Sequence, residues 1–353
     1  MCRQIPGTVM NEVSKRSRAS GRVTLGDVAQ AAGVSPITAS RALRGEGGER
    51  GVAADLVTRV RDAAARLSYV PDPAARALAS SRSSHVVVLI PLLTNTLFVD
   101  LLEAVQRTLT PAGYQTMIGV THYRAEEEEQ LLQSYMAHRP AGLVVTGFDR
   151  TATAQKLITA SGVPCVHVME TSTEADVYCV GFSQNEAGFA ITAHLLAQGR
   201  RRIAFVAAQL DPRVMQRLEG YRRCLRAAGC FDANLELLDS GHSSMALGGR
   251  LLETLLAAHP DVDAIFFCND DLAQGGLMAA LRLGVAVPKR VALAGFNDLT
   301  GSDQMLPSLT TIRTPRVEIG EQAALMLLRL MRKEAVPQSS LDVGYELIVR
   351  EST

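Results

Sequence analysis

Residues 23–45 read VTLGDVAQAAGVSPITASRALRG, and their punctuation is that of two short helices around a tight turn. Thr24 opens T-L-G-D, with Asp27 placed to reach back over the first turn as a capping box. Leu25, Val28 and Ala29 then make one apolar face. Gly33 supplies a break in the backbone, and Ser35 with Pro36 restarts a helix as N-cap and first-turn residue. In the second helix the apolar positions Val34, Ile37, Ala39 and Leu43 cannot all face inward at once. Its opening, Ser35-Pro36-Ile37-Thr38-Ala39-Ser40-Arg41, sets hydroxyls and a guanidinium along one side. Such groups bond phosphates and base edges in a major groove.

Outward from this pair, GEGGERG at 45–51 leads to a third helix over 52–67, in which Leu56, Val60, Ala63, Ala64 and Leu67 recur at helical spacing. Pro71-Asp72-Pro73 stops it, one more short helix is expected over 74–79, and a serine-rich linker runs to residue 84. Residues 1–22 read as a flexible basic arm without periodicity.

The charge is divided in the same place. Over 353 residues, 36 Lys and Arg balance 36 Asp and Glu. Residues 1–84 nevertheless hold 13 basic against 7 acidic side chains, and residues 85–353 hold 23 against 29. A +6 head therefore rides on a −6 body, the distribution of a nucleic-acid-binding segment on a soluble regulatory or catalytic domain. No apolar run approaches the roughly 20 residues of a membrane span. The polar start carries no secretory signal, and six scattered cysteines without a CxxC read as reduced thiols, so a cytoplasmic protein is expected. No metal site and no cofactor are expected.

Beyond residue 85, short apolar runs alternate with amphipathic helical stretches: 86–90, 114–120, 142–147, 163–168, 202–208, 235–239, 264–268 and 291–295. This alternation predicts an α/β core of parallel sheets covered on both faces, divided into two side-by-side subdomains. Ligands in such sheets sit outside the carboxyl ends of the strands. Asn269-Asp270-Asp271 follows one strand directly, which suits a ligand pocket, and Asp270 or Asp271 equally suits a helix N-cap. Glu126 to Glu129 read as a solvated helix start. GxGxxG after the first strand, GxxxxGK[ST], GxSxG and HExxH are all missing, which opposes an enzyme. A sugar-processing enzyme with a basic tail and a sugar-binding transport module are the rival readings.

Residues 23–45, together with LSYVPDPAARALAS at 67–80, resemble the head and hinge of LacI/GalR-family transcription regulators. The resemblance continues through VVVLIPLLTNTLF (86–98), HLLAQGRRRIAFV (194–206), RLEGYRRCL (217–225), DAIFFCNDDLAQGG (263–276) and VALAGFNDL (291–299). Within the family, LTNTLF, GYQTM, EEEEQL and VMETS to VGFSQNEAG look most like gluconate-operon repressors. The resemblance implies a basic arm (1–22), a helix-turn-helix domain (23–70), a hinge helix with linker (71–84), and a core (85–353) like periplasmic sugar-binding proteins.

Carried over by position, Pro36, Ile37 and Arg41 meet bases, Thr38 and Ser40 stand nearer phosphates, and Thr24 and Ser35 complete the DNA-facing set. Leu78, flanked by Ala75, matches the hinge leucine that wedges into the minor groove. Ala39 stands where valine is usual and should thin the packing of the head. Arg217 matches the ligand-binding arginine, whose guanidinium can clasp a carboxylate or paired hydroxyls. Asn95, Phe98, Phe148, Glu170, Phe182, Asn269 and Asn297 are further effector candidates at strand ends or in the effector loop. The implied partners are a pseudopalindromic operator DNA, a sugar acid such as gluconate or a ketogluconate, and a second copy of the chain, as a homodimer or a dimer of dimers.

Overall fold

The computed structural model describes residues 23–44, 52–70 and 83–353. They fall in two compact units, one within residues 1–81 and the other within 82–353. The expected arm (1–22), the glycine-rich connection (45–51) and the hinge stretch with Ala75 and Leu78 lie outside the described residues.

The first unit contains α1 (Leu25–Ala32), α2 (Pro36–Arg44) and α3 (Ala54–Arg66). The capping box is formed: Thr24 Oγ1 accepts from Asp27 N at 3.3 Å, and Asp27 Oδ2 accepts from Thr24 N at 2.8 Å. Gly33 ends α1 at φ 66°, in the left-handed region that glycine enters without strain. Ser35 Oγ accepts from Thr38 N at 3.1 Å and starts α2. Among the described residues the buried side chains of this unit are Val28, Ala29, Ala32, Ala39, Ala42, Val60, Ala63 and Ala64, none larger than valine. Ala39 and Ala42 are the inward residues of α2, which leaves Ile37 73% exposed. With so little apolar area, a cap contributing about 1 kcal/mol is a substantial part of this unit's stability.

The second unit begins with β1 (His85–Ile90), α4 (Thr96–Leu109), β2 (Gln115–Val120), α5 (Ala125–Met136), β3 (Gly142–Thr146), α6 (Ala152–Ser161), β4 (Cys165–Val168) and β5 (Cys179–Gly181). It continues with α7 (Gln184–Ala197), β6 (Ile203–Ala208), α8 (Pro212–Ala227), β7 (Glu236–Asp239), α9 (Met245–Ala258), β8 (Ala264–Phe267), α10 (Asp270–Leu283) and β9 (Ala292–Ala294). The last elements are β10 (Thr311–Arg313), α11 (Arg316–Met331), β11 (Ser340–Asp342) and β12 (Glu346–Ile348).

Two parallel sheets result, in the orders β11-β5-β4-β3-β1-β2 and β7-β6-β8-β9. Both β1 and β6 are buried almost from end to end, as strands covered by helices on both faces must be. The chain leaves the first lobe after β5, returns with α11, which packs on α4, and closes the first sheet when β11 pairs with β5. The antiparallel pair β10 and β12 lies along the crossing, with Asn297 N donating to Ile312 O at 2.7 Å.

The eight expected apolar runs become β1 to β4 and β6 to β9. The strands β5, β10, β11 and β12 were not anticipated; each has three residues, too few to show a run. The acidic cluster is a second difference. It does open α5, but Glu128 is buried rather than solvated, its Oε1 2.7 Å from Nε of an equally buried Arg150. Position 128 faces inward on a helix that packs against α6, so the charge needs an internal partner.

Candidate functional site

On the head, the exposed side of α2 carries Ser35, Pro36, Ile37 and Arg41, with Thr38 and Ser40 half-buried. Thr24 uses its hydroxyl in the capping box, donating to Asp27 Oδ2 at 2.8 Å. Ser35 and Thr38 share a hydroxyl contact of 2.9 Å. Ile37 stands exposed beside these hydroxyls and the Arg41 guanidinium.

Between the lobes of the core lies a cavity of about 280 Å³. The carboxyl ends of the strands feed it: Leu92, Thr94 and Asn95 follow β1, Met169 follows β4, Gln209 and Asp211 follow β6, and Asn269 and Asp271 follow β8. A larger outer chamber of about 910 Å³ shares Leu92, Thr94, Tyr123, Gln209, Asp211 and Ser243 with it and adds His122, Arg124 and His242. The inner volume is at the lower end of the range for small-molecule sites, the scale of a monosaccharide derivative.

Two arginines one turn apart on α8 line this cavity in different states. Arg213 Nε lies 3.1 Å from Asp211, and its Nη1 lies 3.4 Å from Asp149 and 3.5 Å from Glu170. Burial works against its charge, but Asp211, Asp149 and Glu170 together hold its pKa above the ordinary value. Gly147 leaves room for this cluster, since a Cβ there would stand 2.7 Å from Asp149 and Glu170 oxygens, and its φ of 62° suits glycine.

Arg217 is as deeply buried and has no carboxylate in ion-pair contact among the described residues. Its Nε donates to Gln184 Oε1 at 2.8 Å and its Nη1 to the Cys268 carbonyl at 2.6 Å. Its guanidinium carbon sits 3.8 Å above the Phe296 ring. Burial pushes its pKa below the ordinary value, and Arg213 adds to the effect. Asp211, on the same cavity wall, favours the charge without touching it, so the cost of burial is only partly offset and an anionic ligand can offset more of it.

Of the eight effector candidates, Asn95, Phe98, Arg217, Asn269 and Asn297 line the cavity. Asn95 and Asn269 also cap α4 and α10, accepting from Leu97 N at 3.0 Å and Leu272 N at 3.1 Å. The α10 cap is thus Asn269, where Asp270 or Asp271 was expected, because Asn269 alone has the extended backbone of a cap. Asn297, at φ 109°, accepts from Thr314 Oγ1 at 3.1 Å.

Phe148, Glu170 and Phe182 are not on the lining. Phe148 stacks on His167 with ring centroids 4.6 Å apart, and Phe182 stacks on Phe296 at 6.3 Å. Glu170 lies behind Arg213 and accepts from Gln216 Nε2 at 2.7 Å, its pKa raised by burial against the pull of Arg213. Arg213, Asp211, Gln209 and Tyr123 line the cavity and were not anticipated. The signal for Arg213 was present: Asp211-Pro212 marks a helix start, and Arg213 and Arg217 then share a face at i, i+4.

A helix-turn-helix unit in one chain with a two-lobed, parallel α/β core of the periplasmic-binding type is the build of a DNA-binding transcriptional regulator, not of an enzyme. Residues 24–72 match the family described as bacterial regulatory proteins, lacI family, and residues 192–353 match the periplasmic binding protein-like domain. The chain is 54% identical over 339 residues to the HTH-type transcriptional regulator GntR of Pseudomonas aeruginosa, covering 96% of this chain and 98% of that one. The crystal structure of transcription regulator GntR from Chromobacterium violaceum superimposes with a TM-score of 0.75 at 48% identity, covering 76% of this chain and 98% of the other. A LacI-family regulator from Silicibacter pomeroyi, at 33% identity, reaches a TM-score of 0.85 over 94% of this chain and 99% of its own. The chain belongs to the LacI family of transcriptional regulators. Among the described residues no helix is long and apolar enough to cross a membrane.

Proposed function

We propose that this regulator is a cytoplasmic repressor whose operator affinity is lowered when a small sugar acid, gluconate or a ketogluconate, binds in the core cavity. The observation that carries the reading is Arg217, a buried guanidinium on the cavity wall whose hydrogen-bond partners are all neutral. The likeness of LTNTLF, GYQTM and EEEEQL to gluconate-operon repressors, and the name GntR borne by similar regulators, support it further.

In this reading residues 23–70 bind DNA, 71–84 form the hinge helix with Leu78 and Ala75 at the minor groove, and 85–353 bind the effector and dimerise. Two copies match a pseudopalindromic operator, with Thr24, Ser35, Pro36, Ile37, Thr38, Ser40 and Arg41 on each half-site. Asn95, Phe98, Asn269 and Asn297 surround the ligand that Arg217 holds, and Glu170 acts through Arg213. Effector lowers operator affinity only by binding the non-binding conformation more tightly, since equal affinity for both would shift nothing.

The test is calorimetry of the full chain with gluconate, 2-ketogluconate, 6-phosphogluconate and glucose, paired with operator binding. Gluconate or 2-ketogluconate should bind and release the operator, and glucose should not. Arg217→Met should weaken acid binding by about 2–4 kcal/mol, a loss of at least thirtyfold. Equal binding of glucose and gluconate, or an unchanged titration in Arg217→Met, would refute the reading.

A further inference from the structure

We propose that Asp271 is a specificity-determining residue that makes the cavity select singly charged, hydroxyl-rich acids over doubly charged ones; the inference rests on the sugar-acid reading above.

The triplet after β8 divides its work. Asn269 caps α10 and exchanges two hydrogen bonds with Ser243 at 2.8 and 3.0 Å. Asp270 is fully buried and accepts from Leu299 N at 2.7 Å, Ser302 Oγ at 3.0 Å and Thr311 Oγ1 at 2.7 Å, so it is committed to holding the loop before β10. Asp271 is half-buried in the cavity wall, and its carboxylate has no hydrogen-bond or ion-pair partner among the described residues. Burial alone raises its pKa. Its place in the first turn of α10 suits the charge.

One small cavity therefore displays a cation that touches no carboxylate, Arg217, and a carboxylate that touches no cation, Asp271, and the two do not pair with each other among the described residues, while Asp211 acts on Arg217 only at a distance. Gln209 adds a buried amide nitrogen with no partner. The complementary ligand brings one carboxylate to the guanidinium and hydroxyl donors to Asp271. A second anionic group on the ligand would meet Asp271 at low dielectric, where like charges repel strongly.

The experiment is calorimetry of the full chain and of Asp271→Asn and Asp271→Ser with three probes on one carbon skeleton: D-gluconate, D-glucarate with a second carboxylate, and 2-amino-2-deoxy-D-gluconate with an ammonium. The wild type should prefer gluconate over glucarate by about tenfold or more, the scale of one hydrogen bond to a charged group. Both variants should bring the two within about threefold, by weaker gluconate and stronger glucarate binding. A preference that survives in both variants overturns the proposal. So does tighter wild-type binding of the amino acid than of gluconate, which would make Asp271 a reader of ammonium. A wild type that takes no acid overturns the sugar-acid reading and this inference together, whereas failure of the inference alone shows in the variants' preference.

Discussion

Arg213 and Arg217 stand one helical turn apart, and their surroundings set them different work. Three carboxylates surround the first and none pairs with the second. Residue chemistry on the far side of Gly147 concerns stability instead. His167 is buried and stacked on Phe148, and its Nδ1–H donates to the Gly147 carbonyl at 2.9 Å. Burial first, and Arg150 second, lower its pKa from 6.5 to about 4. The folded chain thus binds fewer protons than the unfolded one between those values. The contribution is fully present above pH 6.5 and is lost as pH falls toward 4. By pH 5 the loss should be about 2 kcal/mol. The unfolding free energy from urea titration should fall between pH 7 and pH 5 by about 2 kcal/mol less in His167→Gln than in the wild type, and equal falls would show that His167 does not carry it.

At the scale of elements, the position of Arg217 depends on how closely α7 and α8 approach. A Cβ at Gly220 would overlap the Asn185 carbonyl and stand 2.7 Å from Phe189 N, and one at Gly188 would overlap the Arg217 carbonyl. Both obstacles are backbone, so neither helix can yield by turning a side chain. Gly220→Ala should lower stability by about 1–3 kcal/mol and weaken effector binding, because α8 must move and Arg217 with it. Denaturant titration and calorimetry on one preparation check both halves. Elements built from local signals were legible in advance: the capping box at Thr24 and Asp27, the Gly33 break, the Ser35-Pro36 restart and eight apolar strand runs. The three-residue strands were not, because β11 exists only by pairing with β5, whose partner Cys179 is 161 positions from Ser340. The burial of Glu128 was hidden for the same reason, as Arg150 comes from another segment.

For the whole molecule, the +6 charge of residues 1–84 against the −6 of the rest predicts that the salt-dependent attraction to DNA comes from the first segment. A chain starting at His85 should fold, bind the effector as the full chain does and lose operator binding. Sequence-specific DNA binding by that fragment in a mobility-shift assay would defeat the division into domains. The amino-acid sequence by itself determined the helix-turn-helix head and the parallel α/β class, and its ordered motifs singled out Arg217, which lines the cavity, because caps, periodicity and ordered motifs are local and survive without neighbours. Only the tertiary structure decided which charges are neutralised. Arg213 finds Asp149 and Glu170 across the cleft, Asp270 is consumed by the fold, and Arg217 and Asp271 are left facing the cavity. Whether a buried charge has a partner depends on what the other lobe brings to within a few ångströms, and no local pattern records that.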